Sequence, residues 1–276
     1  MHFFWLNSRV KLSNGLLFWR EIGNGSNNIV FIHGTWYDSN QWLSVMEQLS
    51  LSYHCFALDL PGCSESQFSS THYSITQMVE YLAEYIAALK LQKVYLVGHS
   101  FGGWIAASYG LKYPEKLLGL ILLSPEGIDI ADVKVRWRWY GWLAPKISLL
   151  CFILQLIYPF TRRLGITKVK QILQTRQNLL LHSTGNQILF RRKWAKIKQE
   201  LLAENLGLLK VATLVLQGDK DTDIALSMSK YYADLLPMSQ LSLINYGEDN
   251  LPEQMPDIVV QKILDFLSYE DNLLED

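Results

Sequence analysis

The segment Gly98-His99-Ser100-Phe101-Gly102-Gly103 holds the residues best placed to do chemistry in this chain. It reads G-x-S-x-G, follows the apolar run Val94-Tyr95-Leu96-Val97, and leads into a helix-compatible stretch, Trp104 to Tyr113. A strand that turns this abruptly into a helix has no room for side chains beside the turn, which accounts for Gly98 and Gly102. The Ser100 hydroxyl is then held above the sheet edge at a helix N-terminus, where free N–H groups and the helix dipole favour developing negative charge. That arrangement suits attack by a serine on a carbonyl carbon. The plainer alternative is a serine in an ordinary glycine-rich turn.

A second loop belongs to the same reading. The run Asn28 to Ile32 ends in His33-Gly34-Thr35-Trp36. In a parallel sheet this loop leaves at the same carboxyl edge as Ser100, so N–H groups of Thr35, Phe101 and also Trp36 are expected to converge on one oxygen as an oxyanion hole.

The elements that must position these loops are legible as alternating strand and helix patterns, the signature of a mostly parallel sheet. Arg9 to Leu12 and Leu16 to Ile22 flank Ser13-Asn14-Gly15, so an antiparallel hairpin is expected to open the fold. Asn28 to Ile32, Tyr53 to Leu58, Lys93 to Val97 and Leu117 to Leu123 are compact apolar runs of strand length. Ser74 and Gln77 form a capping box for a helix to Lys90, whose Ile75, Met78, Val79, Leu82, Tyr85, Ile86 and Leu89 make one apolar stripe. From Asp129 to Lys210 strand alternation disappears and an all-helical insertion is expected. Strands and helices then resume with Ala212 to Gln217, Ile224 to Leu236, Leu241 to Ile244 and Pro256 to Leu267.

With 276 residues, 49% hydrophobic and 18% charged, the chain can bury a large core, and disorder is excluded as its main description. Its formal charge of −1 gives no whole-chain case for nucleic-acid binding. Cys55, Cys63 and Cys151 are odd in number and widely spaced, so neither a disulfide framework nor a zinc site is indicated, and a reducing compartment fits. The start, Met1-His2-Phe3-Phe4-Trp5-Leu6, lacks the form of a signal peptide, so no export is expected. The longest apolar run, Ile147 to Tyr158, has 12 residues, short of the roughly 20 a spanning helix needs.

Taken together, His33-Gly34-Thr35-Trp36, Leu58-Asp59-Leu60-Pro61-Gly62-Cys63-Ser64-Glu65-Ser66, Gly98 to Gly103 and Leu214-Val215-Leu216-Gln217-Gly218-Asp219-Lys220-Asp221 resemble the α/β-hydrolase superfamily in order and spacing. The resemblance covers about residues 10–127 and 211–268. It implies an α/β-hydrolase fold: a mostly parallel central sheet with helices on both faces, a core of 1–127 and 211–276, and a helical cap of 128–210. It also implies that His33 supports the oxyanion loop and that His99 lies beneath the elbow. The family's acid, G-x-x-D after the strand that follows the cap, falls on Asp221, with Asp219, Asp223 and Glu126 as competitors. The family's histidine is expected in the turn Tyr246-Gly247-Glu248-Asp249-Asn250-Leu251-Pro252, where Asp249 takes its place and Glu248 is the alternative. No histidine follows His182. Without a base, serine is a poor nucleophile. Three accounts stay open: Asp249 is the base; His182, or less plausibly His33 or His99, is recruited; or the site binds without appreciable turnover.

The insertion carries its own signal. Asp129 to Lys210 holds 15 Lys plus Arg against four acidic residues, a net +11, and leaves −12 on the rest. Within it, Arg136-Trp137-Arg138-Trp139-Tyr140-Gly141-Trp142 interleaves cations with tryptophans beside the apolar run. Arg136, Arg138, Trp137, Trp139 and Trp142 are therefore candidates for contact with an anionic membrane surface; the alternative is that these aromatics pack the cap onto the core. Nucleic acid is the weaker reader of the same charge.

The resulting expectation is a serine hydrolase-like enzyme acting on a lipophilic ester or acyl compound through Ser100, Asp221 and Asp249. It needs no metal or organic cofactor, and is cytoplasmic with peripheral membrane attachment. The alternatives are a degenerate binding protein of the same fold, and a lyase or cyclase whose carboxylate base needs no acyl-enzyme.

Overall fold

The computed structural model describes residues 4–69, 73–131, 133–143, 145, 148–182, 190 and 192–275; the side chains of 136, 140, 178, 179, 181, 182 and 270–275 lie outside the described set. Asp132, Lys146, Ile147 and Arg191, and the side chains of Arg136 and His182, fall outside it too.

The strands are β1 (Leu6–Leu12), β2 (Gly15–Ile22), β3 (Asn28–Ile32), β4 (His54–Leu58), β5 (Val94–His99), β6 (Leu117–Leu123), β7 (Thr213–Gly218) and β8 (Ser239–Ile244). They form one sheet in the order β1-β2-β4-β3-β5-β6-β7-β8. β2 pairs antiparallel with β1 and β4, and every other pairing is parallel. The central strands are buried along their length, as apolar runs covered on both faces must be. The opening turn is Ser13-Asn14, and Gly15 already pairs with Leu12. Glycine is required at 15 because a Cβ there would lie 2.3 Å from the Gln67 carbonyl oxygen.

Helices α1 (Leu43–Leu49), α2 (Ile75–Ala88) and α3 (Phe101–Lys112) cover the first half of the sheet. Ser74 caps α2 by accepting from the Gln77 N–H, as the capping signal requires. α3 begins three residues before the expected Trp104, because the turn at Ser100 passes straight into the helix. The segment between β6 and β7 contains α4 (Val133–Leu143), α5 (Leu149–Arg163), α6 (Thr167–His182) and α7 (Trp194–Lys198). α5 continues past Pro159, where the apolar run was expected to end. After β7 come α8 (Asp223–Leu235), α9 (Leu251–Gln254) and α10 (Pro256–Glu275), the last running beyond the expected Leu267.

Two buried clusters lie on opposite faces of the sheet. One holds α1 and α10 against β3, β5 and β6 through Trp42, Met46, Val259 and Ile263. The other joins α2, α3 and α8 to the helical segment through Trp104, Trp137, Phe190, Ile197 and Leu202. Trp104 is 1% exposed, and full burial of such a side chain contributes about 1.5–3 kcal/mol. Its indole N–H donates to the Glu200 carbonyl at 3.1 Å, tying the helical segment directly to the elbow helix.

Candidate active site

Ser100 has φ 52° and ψ −113°, a conformation that no β-strand or α-helix uses. Three backbone bonds hold it there. Its N–H donates to Leu123 O at 2.8 Å, and its carbonyl accepts from Trp104 N at 3.2 Å and Glu126 N at 3.1 Å. A Cβ on Gly98 would lie 2.4 Å from Gly102 O, and one on Gly102 would lie 2.4 Å from Ile32 O. The two glycines thus let strand, turn and helix close on one another. Such backbone strain costs about 1–3 kcal/mol and persists where the surroundings over-determine it. The Ser100 hydroxyl has no hydrogen-bond partner among the described residues and lines a cavity of about 220 Å³.

The loop after β3 is fixed from beneath. His33 is fully buried; its Nε2 accepts from Leu60 N–H at 2.9 Å, so Nδ1 carries the proton and donates to Gly34 O at 2.8 Å. Burial lowers its pKa, with the Asp59 charge opposing, and the ring is neutral. Trp36 lines the cavity, Thr35 is buried, and Phe101 occupies the first position of α3, where a helix N–H has no intrahelical acceptor. Gln41, which sequence reasoning missed, links this loop to two others. Its Oε1 accepts from Gly34 N–H at 3.1 Å, while its Nε2 donates to His99 Nδ1 at 2.9 Å and to Asn250 Oδ1 at 3.0 Å. The second ring nitrogen of His99 donates to the Asp249 carbonyl at 2.9 Å. Both nitrogens of His99 are therefore occupied, and it has no lone pair left for the Ser100 proton.

The loops after β7 and β8 are pressed together by Gly218 and Gly247: a Cβ on Gly218 would lie 2.3 Å from Gly247 O. Asp221 Oδ2 accepts from Gln217 Nε2 at 2.9 Å and its Oδ1 from Thr222 N–H at 2.6 Å. Asp219 instead accepts from Tyr246 N–H at 2.6 Å, a bond that braces the two loops. Asp221, Asp249 and Glu126 share the cavity with Ser100, whereas Asp219, Asp223 and Glu248 are not among its lining residues. The Asp249 carboxylate is 57% exposed. Tyr37, also missed, lines the cavity with its ring edge-on to His99. Burial first, then the charges of Asp249, Glu253 and Asp221, push its phenol well above the ordinary tyrosine range, so it is held protonated.

A family model described as alpha/beta hydrolase fold matches residues 27–153. A putative lipase from Acinetobacter baumannii superposes with a TM-score of 0.77 at 21% identity, over 97% of this chain and 92% of that one. The chain has an α/β-hydrolase fold. The mouse monoacylglycerol lipase ABHD6 is 24% identical over 253 residues, which is 87% of this chain and 75% of that protein. The mouse 1-acylglycerol-3-phosphate O-acyltransferase ABHD5 is 36% identical over 136 residues, 45% of this chain and 38% of that protein. Across five of the relatives matched at higher identity, the aligned stretch spans 24% to 39% of the relative's length.

Within this α/β-hydrolase fold the expected site residues do not all meet. Ser100, Trp36, His99, Asp221 and Asp249 face one cavity. Of the proposed membrane-facing tryptophans, Trp137 needs correction: it is 5% exposed and packs between Trp104 and Phe190, at centroid distances of 6.1 Å and 4.9 Å. Val133 and Trp137, one turn apart, both face the core, so Trp142, five positions on, points away and is 59% exposed. Trp139 is half-buried and Arg138 exposed. Phe190 in turn stacks on Trp36 at 5.8 Å, joining the helical segment to the loop beside Ser100.

Proposed function

We propose that the chain is a serine hydrolase-like enzyme acting on a lipophilic ester or acyl compound, with Ser100, Asp221 and Asp249 as its working set. The observation that carries this is the strained Ser100 backbone at the start of α3, which presents the hydroxyl to a cavity. Ser100 Oγ attacks the acyl carbon, and its proton passes to the Asp249 carboxylate and on to the leaving oxygen. N–H groups of Thr35, Trp36 and Phe101 hold the oxyanion. Water then cleaves the acyl-serine with the proton relay reversed. Asp221, fixed by Gln217, orients the far side of the cavity. Relatives named as a monoacylglycerol lipase and a 1-acylglycerol-3-phosphate O-acyltransferase support a lipophilic acyl substrate.

Residues 128–210 act in this reading as a cap over a core of 1–127 and 211–276. The protein is cytoplasmic and attaches peripherally to anionic membrane through the cap. Two features support attachment. α5 exposes Leu149, Phe152, Ile153, Leu156, Ile157 and Phe160 on one stripe, and Arg162, Arg163, Lys168 and Lys170 beside it are exposed. Among the described residues no helix is long and apolar enough to cross a membrane.

The exposure of the Asp249 carboxylate and the unbonded Ser100 hydroxyl favour a second reading, a binding protein with little turnover. Hydrolysis of p-nitrophenyl esters of short and long acids by wild type and Ser100→Ala separates the two. Loss of activity in the variant is expected; equal rates would sink the hydrolase reading, and saturable ester binding without turnover would establish the second.

A further inference from the structure

A cavity of about 290 Å³ opens in the helical segment, outside the serine cleft. That volume falls just below the roughly 300–1,000 Å³ found for drug-sized ligand sites, which suits a small head group with its chain left on the surface. Two of its lining residues, Lys134 and Arg138, lie four positions apart on α4 and so share one face. Both are exposed, and neither has an ion pair or hydrogen bond among the described residues. Like charges one turn apart disfavour the helix, and an anion seated between them reverses that penalty. The third cation at the cavity, Arg192, is already neutralised by Glu200 at 2.7 Å and shapes the wall instead. Asp129, another nearby acid, lies against Lys198 at 3.9 Å. Among the described residues Glu200 and Asp129 are thus paired with other cations, and the pair on α4 faces the cavity without a carboxylate partner.

The rest of the lining is apolar: Trp142, Trp194, Phe190 and Ile197. Trp142 forms part of the wall while being mostly exposed, and its carbonyl accepts from Ser148 Oγ at 3.3 Å. Ser148 caps α5, so the exposed apolar stripe of α5 starts beside the cavity. A cationic pair, a tryptophan wall and an adjoining apolar track ask for a molecule with one charged end. Phe190 stands between this cavity and Trp36 of the serine cleft, so the two sites are neighbours with a common wall.

We propose that this cavity binds an anionic amphiphile: a carboxylate or phosphate monoester head between Lys134 and Arg138, with an apolar chain against Trp142 and Trp194. The assignment holds whether or not Ser100 turns over. It is tested by tryptophan fluorescence titration of the full chain carrying Ser100→Ala. The probes are decanoate and decyl phosphate below their aggregation concentrations, with decanol and inorganic phosphate as partial probes. Both amphiphiles are expected to bind saturably, with decanol and phosphate each weaker. Lys134→Gln with Arg138→Gln should weaken the amphiphiles about tenfold, and Lys134→Arg should keep them. Each single Gln variant, expected to lose about threefold, gives the same reading if the double variant melts early. Undiminished binding in these variants, or decanol binding as well as decanoate, overturns the proposal. So does a response to phosphatidylglycerol vesicles with none to the monomeric amphiphiles, which would give the cations to a bilayer surface instead.

Discussion

His99 Nε2 lies 2.9 Å from the carbonyl oxygen of Asp249, so the histidine preceding the elbow serine holds the loop after β8 that carries the proposed base. The imidazole in this site works as a clamp, and its proton-accepting capacity is spent on loop geometry. The carboxylates that face Ser100 across the cavity are those of Asp249, Asp221 and Glu126, and in the proposed function the first takes the proton.

Asp249→His is expected to raise ester hydrolysis by about 10² to 10⁴-fold, the usual contribution of a positioned general base. Steady-state rates on a long-chain p-nitrophenyl ester provide the check, and the gain must vanish in Ser100→Ala/Asp249→His. No gain, with the fold intact by circular dichroism, would mean the loop does not aim position 249 at Ser100.

Gln41→Leu removes three hydrogen bonds that join separate loops, leaving Gly34 N–H and His99 Nδ1 buried without partners. Each stranded group costs about 1–3 kcal/mol. Urea unfolding should show a loss in that range or above it, whereas a change below about 0.5 kcal/mol would show that water replaces the amide.

His33 sets a pH dependence of stability. Its folded-state pKa lies below the ordinary 6.5, mainly through burial. Below 6.5 the unfolded chain takes a proton that the folded chain refuses, so this stability is complete above that pH and declines as pH falls beneath it. Melts between about pH 5.5 and 7.5 should slope more steeply for wild type than for His33→Asn. Parallel slopes would remove His33 as the cause.

Leu156→Glu with Phe160→Glu places charge on the exposed stripe of α5 and is expected to leave the melting temperature unchanged while abolishing flotation with phosphatidylglycerol vesicles. Persistent flotation would assign membrane contact to another surface. High salt should weaken wild-type binding, since exposed charges are screened over about 10 Å at 0.1 M.

The elbow was readable in the chain because sterics leave no choice: a side chain at Gly98 or Gly102 would overlap backbone atoms, so glycine spacing encodes the turn. The parallel strands were readable for a similar reason, since strands buried on both faces must be apolar throughout. Gln41 was not, because its partners lie 7, 58 and 209 residues away and no local pattern marks such a hub. Tyr37 escaped for the same reason; the carboxylates that surround it come from the far end of the chain. The tryptophans of α4 show a different limit. Composition gave one cluster of three, but the helix turns through about 100° per residue, and only contact with Trp104 and Phe190 decides that Trp137 is inside.

The rings of Trp36, Phe190, Trp137, Trp104 and Phe101 touch in sequence from the loop after β3, through the helical segment, to the elbow helix. Lifting that segment as one piece would have to part Phe190 from Trp36, and so would disturb the loop proposed to hold the oxyanion. In the proposed reading, where residues 128–210 cap the cleft and this loop holds the oxyanion, the Phe190–Trp36 contact couples the position of the cap to the geometry of the donors.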